Sequence, residues 1–208
     1  MRSEVPKMFC AGADLKERKA MAGDEVKQFL KDLRAAFSHL EDMGCPTISV
    51  IDGAALGGGT ELALCTDMRI ATKTSIFALP ETSLAIIPGA GGTQRLTRLI
   101  GESRSKELIF TCDRLTGEQA HDIGLVNHVM EDYDAANDKA MEIALKICEK
   151  GPIAIRAAKE AINGCEREDL KKGLEFEGEC YKKVLASEDR MEGLRAFAEK
   201  RKPVYEGK

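Results

Sequence analysis

The stretch TISVIDGAALGGGTELALCTDMRIATKTSIFALP, residues 47–80, decides how the chain folds. It begins with TISVID, an apolar, β-branched run that reads as a buried strand. A glycine-rich turn follows, then a short helix expected from about Thr60 to Asp67, and then MRIAT (68–72) and SIFALP (75–80), two more short strands. Downstream, PGAGGTQRL (88–96) is a second glycine loop that again opens a helix. Both loops contain Gly-Gly-Thr, at 58–60 and 91–93, each expected at a strand-to-helix junction. The recurrence points to a repeated strand-strand-helix unit, and the same capping chemistry used twice would explain it equally well.

Upstream, DEVKQFLKDLRAAFSHLEDM (24–43) sets Val26, Phe29, Leu30, Leu33, Phe37, Leu40 and Met43 three or four apart, the stripe of an amphipathic helix. Gly44 ends it and Pro46 leads into the strand. From about Thr116 the pattern is mostly helical, over 135–150, 153–163, 166–186 and 187–201, with Gly151-Pro152 the clearest break. An α/β core, residues 1–133, therefore precedes an all-α segment, residues 134–208, with no Pro- or Ser-rich linker between them.

The 208 residues, 43% apolar and 32% charged, suit one compact domain with an appended helical piece. A net charge of −4 gives no bulk electrostatic footprint for nucleic acid or an anionic membrane. The cysteines, Cys10, Cys45, Cys65, Cys112, Cys148, Cys165 and Cys180, are odd in number and scattered without a C-x-x-C pair. That argues for a reducing compartment and against a disulfide framework or a zinc site. No apolar run approaches the roughly 20 residues of a membrane span. The opening MRSEVPKMFCAGADL lacks the pattern of a signal or transit peptide, so a soluble protein is expected.

The glycines at 57–59 fit neither G-x-G-x-x-G nor G-x-x-x-x-G-K-[ST], and no G-x-S-x-G elbow is present. What they offer is a helix N-terminus with bare N–H groups, able to receive an anion or a carbonyl becoming one. A tight turn with a close packing contact is the simpler reading of the same glycines. Glu61, in the first helical turn, is by default a favourable partner of the helix dipole. Glu81 is less ordinary, because a carboxylate between apolar stretches belongs where it lines a cavity. Two carboxylates facing one pocket could hold a water, one taking its proton while the other delivers a proton to carbon. His39, His121 and His128 are isolated and read as structural, and Cys65 and Met68 as core.

FCAGADLKE (9–17), AALGGGTELALCTDMRIA (54–71) and PETSLAIIPGAGGTQRLTRLIG (80–101), in this order and spacing, resemble the enoyl-CoA hydratase/isomerase (crotonase) family. The resemblance runs on through GLVNHV (124–129) to the final FAEKRKPVYEGK (197–208). Within the family, SEVPKMFCAGADLKER, AIIPGAGGTQRL and KELIF are most similar to the RNA-binding, methylglutaconyl-CoA-hydrating branch and its mitochondrial relatives. The resemblance implies a crotonase-like fold of repeated strand-strand-helix units with a C-terminal helical segment that forms trimers, or pairs of trimers, and covers coenzyme A. It places the acyl thioester oxygen between the backbone N–H groups of Ala13 and Gly58. Glu61 would activate water and Glu81 would exchange the proton at the α-carbon. Members that only isomerise double bonds usually lack one of these acids, so the pair implies a hydratase.

Contacts to coenzyme A would come from Cys10, Ala11, Gly12, Ala13 and Asp14, from Lys16 within the basic group Lys16, Arg18 and Lys19, and from Lys200 in EKRKP (199–203). No cofactor is implied beyond the coenzyme A that forms part of the substrate. Family members carry several strands and a helix before the FCAGAD turn, where this chain has about eight residues, so an N-terminally truncated core is expected. The resemblance also implies the mitochondrial matrix. Its second function, binding of AU-rich RNA, gains no support from the charge balance, because the lysine-rich helix concerned would lie upstream. A third reading is a catalytically silent subunit that assembles with longer partners.

Overall fold

The computed structural model describes residues 1–164 and 187–208, so the helix expected over 166–186 lies outside the described residues. The chain forms two compact units, Met1–Glu41 with Thr47–Ala140, and Asp42–Pro46 with Met141–Lys208.

In the first unit the β-branched runs become short parallel strands. β1 (Met8–Cys10) pairs with β3 (Ala54–Leu56), and β3 pairs with β5 (Ile76–Ala78). β2 (Ile48–Ile51) pairs with β4 (Met68–Thr72), setting Val50 beside Ile70, and β4 pairs with β7 (His128–Met130). The two-residue β6 (Leu115–Thr116) closes the first sheet antiparallel to β5. Each strand of the first pair, β2 then β3, lies beside the matching strand of the second pair, β4 then β5. The repeat inferred from Gly-Gly-Thr is thus a repeat of paired strands.

Side chains stitch the corners where one strand turns into the next. Ser75 Oγ donates to the Ile51 carbonyl at 2.8 Å, and Thr72 Oγ1 donates to Asp52 Oδ1 at 2.8 Å. Phe9, Ile51, Phe77, Leu79, Leu96, Ile109 and Leu125 fill the core between these strands and the helices. Phe77, Ile51, Leu96 and Leu125 are almost wholly withdrawn from water, each contributing about 1.5–3 kcal/mol of transfer free energy.

The helices of this unit are α1 (Leu15–Ala20), α2 (Gly23–Glu41), α3 (Gly58–Leu64), α4 (Gly92–Ile100), α5 (Glu102–Thr111) and α6 (Gly117–Asp122). α2 carries the predicted stripe half-buried, except Met43, which lies beyond its end and is exposed. α3 starts two residues before the expected Thr60 and stops at Leu64, short of Asp67. Met68 is only half-buried, and Arg69 beside it is buried instead, donating to the carbonyls of Leu125 at 2.8 Å and Thr66 at 2.5 Å.

The helix α7 (Tyr133–Cys148) is followed by α8 (Pro152–Asn163) and α9 (Glu188–Glu199), in line with the helical periodicity. In the second unit the Asp189 carboxylate accepts from the N–H groups of Glu206 at 2.7 Å and Gly207 at 2.9 Å, fastening the terminal residues to α9. Arg201 pairs with Glu192 at 2.6 Å and holds that carboxyl at about 2, well below its ordinary range. Lys200 is exposed with φ +54°.

Each of the three glycines that open α3 has a different reason. A Cβ on Gly59 would stand 2.0 Å from the Cys10 carbonyl oxygen, so β1 crosses the helix where only glycine fits. Gly59→Ala is therefore expected to lower stability by about 1–3 kcal/mol, read as a lower midpoint in urea at unchanged slope.

Candidate active site

The helix α3 begins where β3 ends. Gly57 turns the chain there with φ +53°, donating its N–H to the Ala78 carbonyl at 2.9 Å and accepting from the Glu61 N–H at 3.0 Å. Thr60 Oγ1 lies 2.7 Å from the Ala55 carbonyl and 2.9 Å from that of Ala78, tying the first turn to β3 and β5. The helix N-terminus is thereby held rigidly at the ends of two parallel strands.

Gly12, with φ +87°, brings the β1–α1 loop onto this terminus. A Cβ on Gly58 would lie 3.4 Å from the Gly12 Cα and 3.7 Å from the Ala13 nitrogen. Ala13 and Gly58 are therefore backbone neighbours, and among the described residues neither N–H donates to a partner. Cys10 is half-buried, whereas Ala11, Ala13, Asp14 and Lys16 are exposed. Asp14 caps α1, accepting from the Lys16 N–H at 2.8 Å and the Glu17 N–H at 3.4 Å. Arg18 lies over the Phe29 ring at 4.8 Å, leaving Lys16 as the exposed cation of that group whose side chain is described.

Glu61 projects from the first turn of α3 and is buried. Its Oε1 accepts from the N–H groups of Ala90 at 2.9 Å and Gly92 at 2.7 Å. Burial raises its pKa, opposed by these two bonds and by the charges of Arg95 and Arg34. The second glycine loop thus serves the first. It does not join a strand to a helix, because a 3₁₀ turn (Pro80–Leu84) and the segment 85–91 intervene between β5 and α4.

Glu81 sits in that 3₁₀ turn. A Cβ on Gly57 would come within 2.9 Å of Glu81 Oε1, so this carboxyl covers the start of α3. Its Oε2 is buried and has no partner among the described residues. Burial pushes its pKa up to about 6, helped by the nearby charge of Glu61 and opposed by its own backbone N–H. Two N–H donors offset part of the burial of Glu61, and Glu81, with an orphaned oxygen, has less to offset its own. Both carboxyls and both free N–H groups meet at one helix N-terminus. A small apolar cavity lined by Thr60, Phe77, Leu96, Leu108 and Leu125 is lined by neither carboxyl.

The raised pKa of Glu81 also links to folding. The advantage of its protonated form is complete below the unfolded value near 4.5 and is lost as pH rises through about 6. Glu81→Gln stays neutral and escapes that loss. Its melting temperature relative to the parent should be higher at about pH 8 than at about pH 4.5, which scanning calorimetry at the two pH values checks.

The enoyl-CoA hydratase/isomerase family model matches residues 1–208. The chain belongs to that family. Its members are enzymes that act on acyl-CoA thioesters. The chain is 54% identical over its whole length to the probable enoyl-CoA hydratase 2, mitochondrial, of Arabidopsis thaliana, and spans 68% of that protein. It is 50% identical over its whole length to the mitochondrial methylglutaconyl-CoA hydratase of Homo sapiens, of which it spans 62%. The crystal structure of an enoyl-CoA hydratase from Bacillus anthracis superposes with a TM-score of 0.94 at 49% identity, covering the whole of this chain and 80% of that one. The fold is therefore the crotonase fold of the family.

Ala90 and Gly92 escaped the sequence reading as site residues. They act through backbone atoms or through lacking a side chain. The available signal was the second glycine loop itself, since an exposed loop has little need of so many glycines unless its backbone comes close to something.

Proposed function

We propose that the chain hydrates the α,β double bond of an enoyl-CoA thioester, using Glu61 and Glu81 as its acid–base pair. The observation that carries this reading is the meeting of the two carboxyls with the unengaged N–H groups of Ala13 and Gly58 at the N-terminus of α3. The thioester oxygen would lie between those two donors. Ionised Glu61 takes a proton from water as the water oxygen bonds to the β-carbon. Negative charge moves through the former double bond to the thioester oxygen, forming an enolate where the donors await it. Protonated Glu81 then delivers a proton to the α-carbon, and solvent exchange resets both acids. Water is consumed, one C–O and one C–H bond form, and nothing is oxidised or reduced.

Cys10 to Asp14 and Lys16 would receive the coenzyme A portion, with Lys200 contributing from the C-terminal segment. That segment is proposed to build a trimer or a pair of trimers, and the names of the relatives support a mitochondrial location. The test is loss of the enoyl-thioester absorbance of crotonyl-CoA and methylglutaconyl-CoA. Turnover by the parent chain that disappears in Glu61→Gln and Glu81→Gln is the expected result. No turnover from folded parent protein would overturn the reading.

A further inference from the structure

The segment Gly89–Gly92 is the only described source of hydrogen bonds to Glu61 Oε1, so whatever fixes this segment fixes that carboxylate. It has few means of fixing itself. Gly91 has φ +110°, and the segment is neither sheet nor helix until α4 begins at Gly92. The Gly91 carbonyl accepts from the Gln94 and Arg95 N–H groups of α4, and those of Gly89 and Ala90 are held by two guanidinium groups. Arg34 Nε, from α2, donates to the Gly89 carbonyl at 2.6 Å. Arg95 Nη1, from α4, donates to the Ala90 carbonyl at 3.0 Å.

Arg95 is anchored in turn. Its Nε and Nη2 both donate to Glu41 Oε2, at 3.0 and 2.6 Å, and its side chain is only 15% exposed. A guanidinium with one side on a carboxylate and another nitrogen on a carbonyl is fixed in plane and direction, as a lysine could not be. The contact is close enough that a Cβ on Gly91 would fall 2.2 Å from Arg95 Nη1, and one on Gly89 would fall 2.8 Å from Leu30 Cδ2. Leu30, Arg34 and Glu41 lie along one side of α2, so a single helix face grips the segment.

We propose that Arg95 and Arg34 are positioning residues for the water-activating carboxylate, fastening the Gly89–Gly92 segment to α2 so that the Ala90 and Gly92 N–H groups hold Glu61 Oε1 in place. This rests on the hydratase reading for its catalytic meaning, and on the geometry alone for its effect on Glu61. The charged and titratable groups acting on Glu61 come from every side. They are Arg34 of α2, Arg95 of α4, Glu81 of the 3₁₀ turn, and the adjoining Cys65, whose thiol burial pushes up to about 12 and so keeps neutral.

The experiment compares the parent with Arg95→Met, Arg95→Lys, Arg34→Gln and Glu41→Gln by two independent readouts. One is kcat and KM for crotonyl-CoA hydration from about pH 5 to 9. The other is the carboxyl carbon-13 titration of Glu61, assigned with Glu61→Gln, which needs no turnover. Arg95→Met should lower kcat by on the order of 10- to 100-fold with KM changed far less. The Glu61 titration should move upward, and the acid limb of the rate profile with it, because a cation and well-placed donors are both lost. Arg95→Lys should recover part of the titration through its charge and less of kcat for want of the fork. Arg34→Gln should shift both readouts in the same direction by less, Glu41→Gln should lower kcat by less through loss of the anchor on Arg95, and both carry the test if Arg95→Met does not fold.

Unchanged kcat in folded variants would overturn the proposal. So would lost kcat with an unmoved Glu61 titration, which marks a merely structural role. A parent chain without turnover would defeat the hydratase reading, while the titration would still decide whether the arginines position Glu61.

Discussion

Glu61→Gln and Glu81→Gln are each expected to lower kcat for enoyl-thioester hydration by about 10²- to 10⁴-fold, with a smaller change in KM. A glutamine at 61 can accept the Ala90 and Gly92 hydrogen bonds through its amide oxygen, so the segment stays in place while the base is lost. At 81 the amide keeps the shape but cannot hand a proton to carbon. The double variant should be little slower than the slower single one, because the two groups act in one sequence of proton transfers and their effects do not add.

The pH profile of the parent follows from the same division. Hydration needs Glu61 ionised and Glu81 protonated, so kcat/KM should fall as pH rises through the Glu81 value of about 6. It should fall again in acid as Glu61 gains a proton, the two limbs belonging to the coupled pair. Stopped-flow or steady-state rates across that range, with circular dichroism to show the variants folded, check both statements. A single variant retaining parental kcat would remove its carboxyl from the chemistry.

The readable parts of this molecule are those in which local pattern and tertiary role agree. The apolar runs of β2, β4 and β5 and the stripe of α2 were legible because burial and periodicity coincide. β3 was not, since Ala54–Leu56 beside three glycines has the composition of a turn and is a strand only through its pairing with β1 and β5. The start of α3 was misjudged for a related reason. Glycine is a poor helix former, so local propensity starts the helix at Thr60. Gly58 and Gly59 are helical because the strands fix the terminus and leave no room there for side chains. Repetition of Gly-Gly-Thr misled as well as informed. Thr60 ties a helix to two strands, whereas Thr93 accepts from Gln94 at 3.3 Å and Gly92 before it presents its N–H to a carboxylate. Glu61 and Glu81 could be picked out as unusual acids, but the two N–H bonds that oppose the burial of Glu61 come from backbone atoms 29 and 31 residues away in the chain.

Gly12→Ala tests the other half of the site, and kcat should fall by about 10²- to 10³-fold, as when one oxyanion donor is removed. Gly12 has φ +87°, a conformation that alanine adopts only under strain, and its added Cβ would stand 2.9 Å from the Leu56 carbonyl and 3.0 Å from the Gly58 nitrogen. Both contacts are with backbone, which cannot swing aside like the end of a long side chain. Relief therefore comes from moving the β1–α1 loop away from α3, which separates the Ala13 and Gly58 N–H groups. Because the thioester oxygen gains its charge only as the enolate forms, the loss should fall mainly on kcat and little on KM. Gly58→Ala is the informative contrast. Its φ is not positive and its nearest contacts are 3.4 and 3.7 Å, so the backbone has far less to yield and the loss should be smaller. If Gly12→Ala folds and turns over at the parental rate, or if Gly58→Ala is the more damaging of the two, the junction of these two loops is not where the enolate is held.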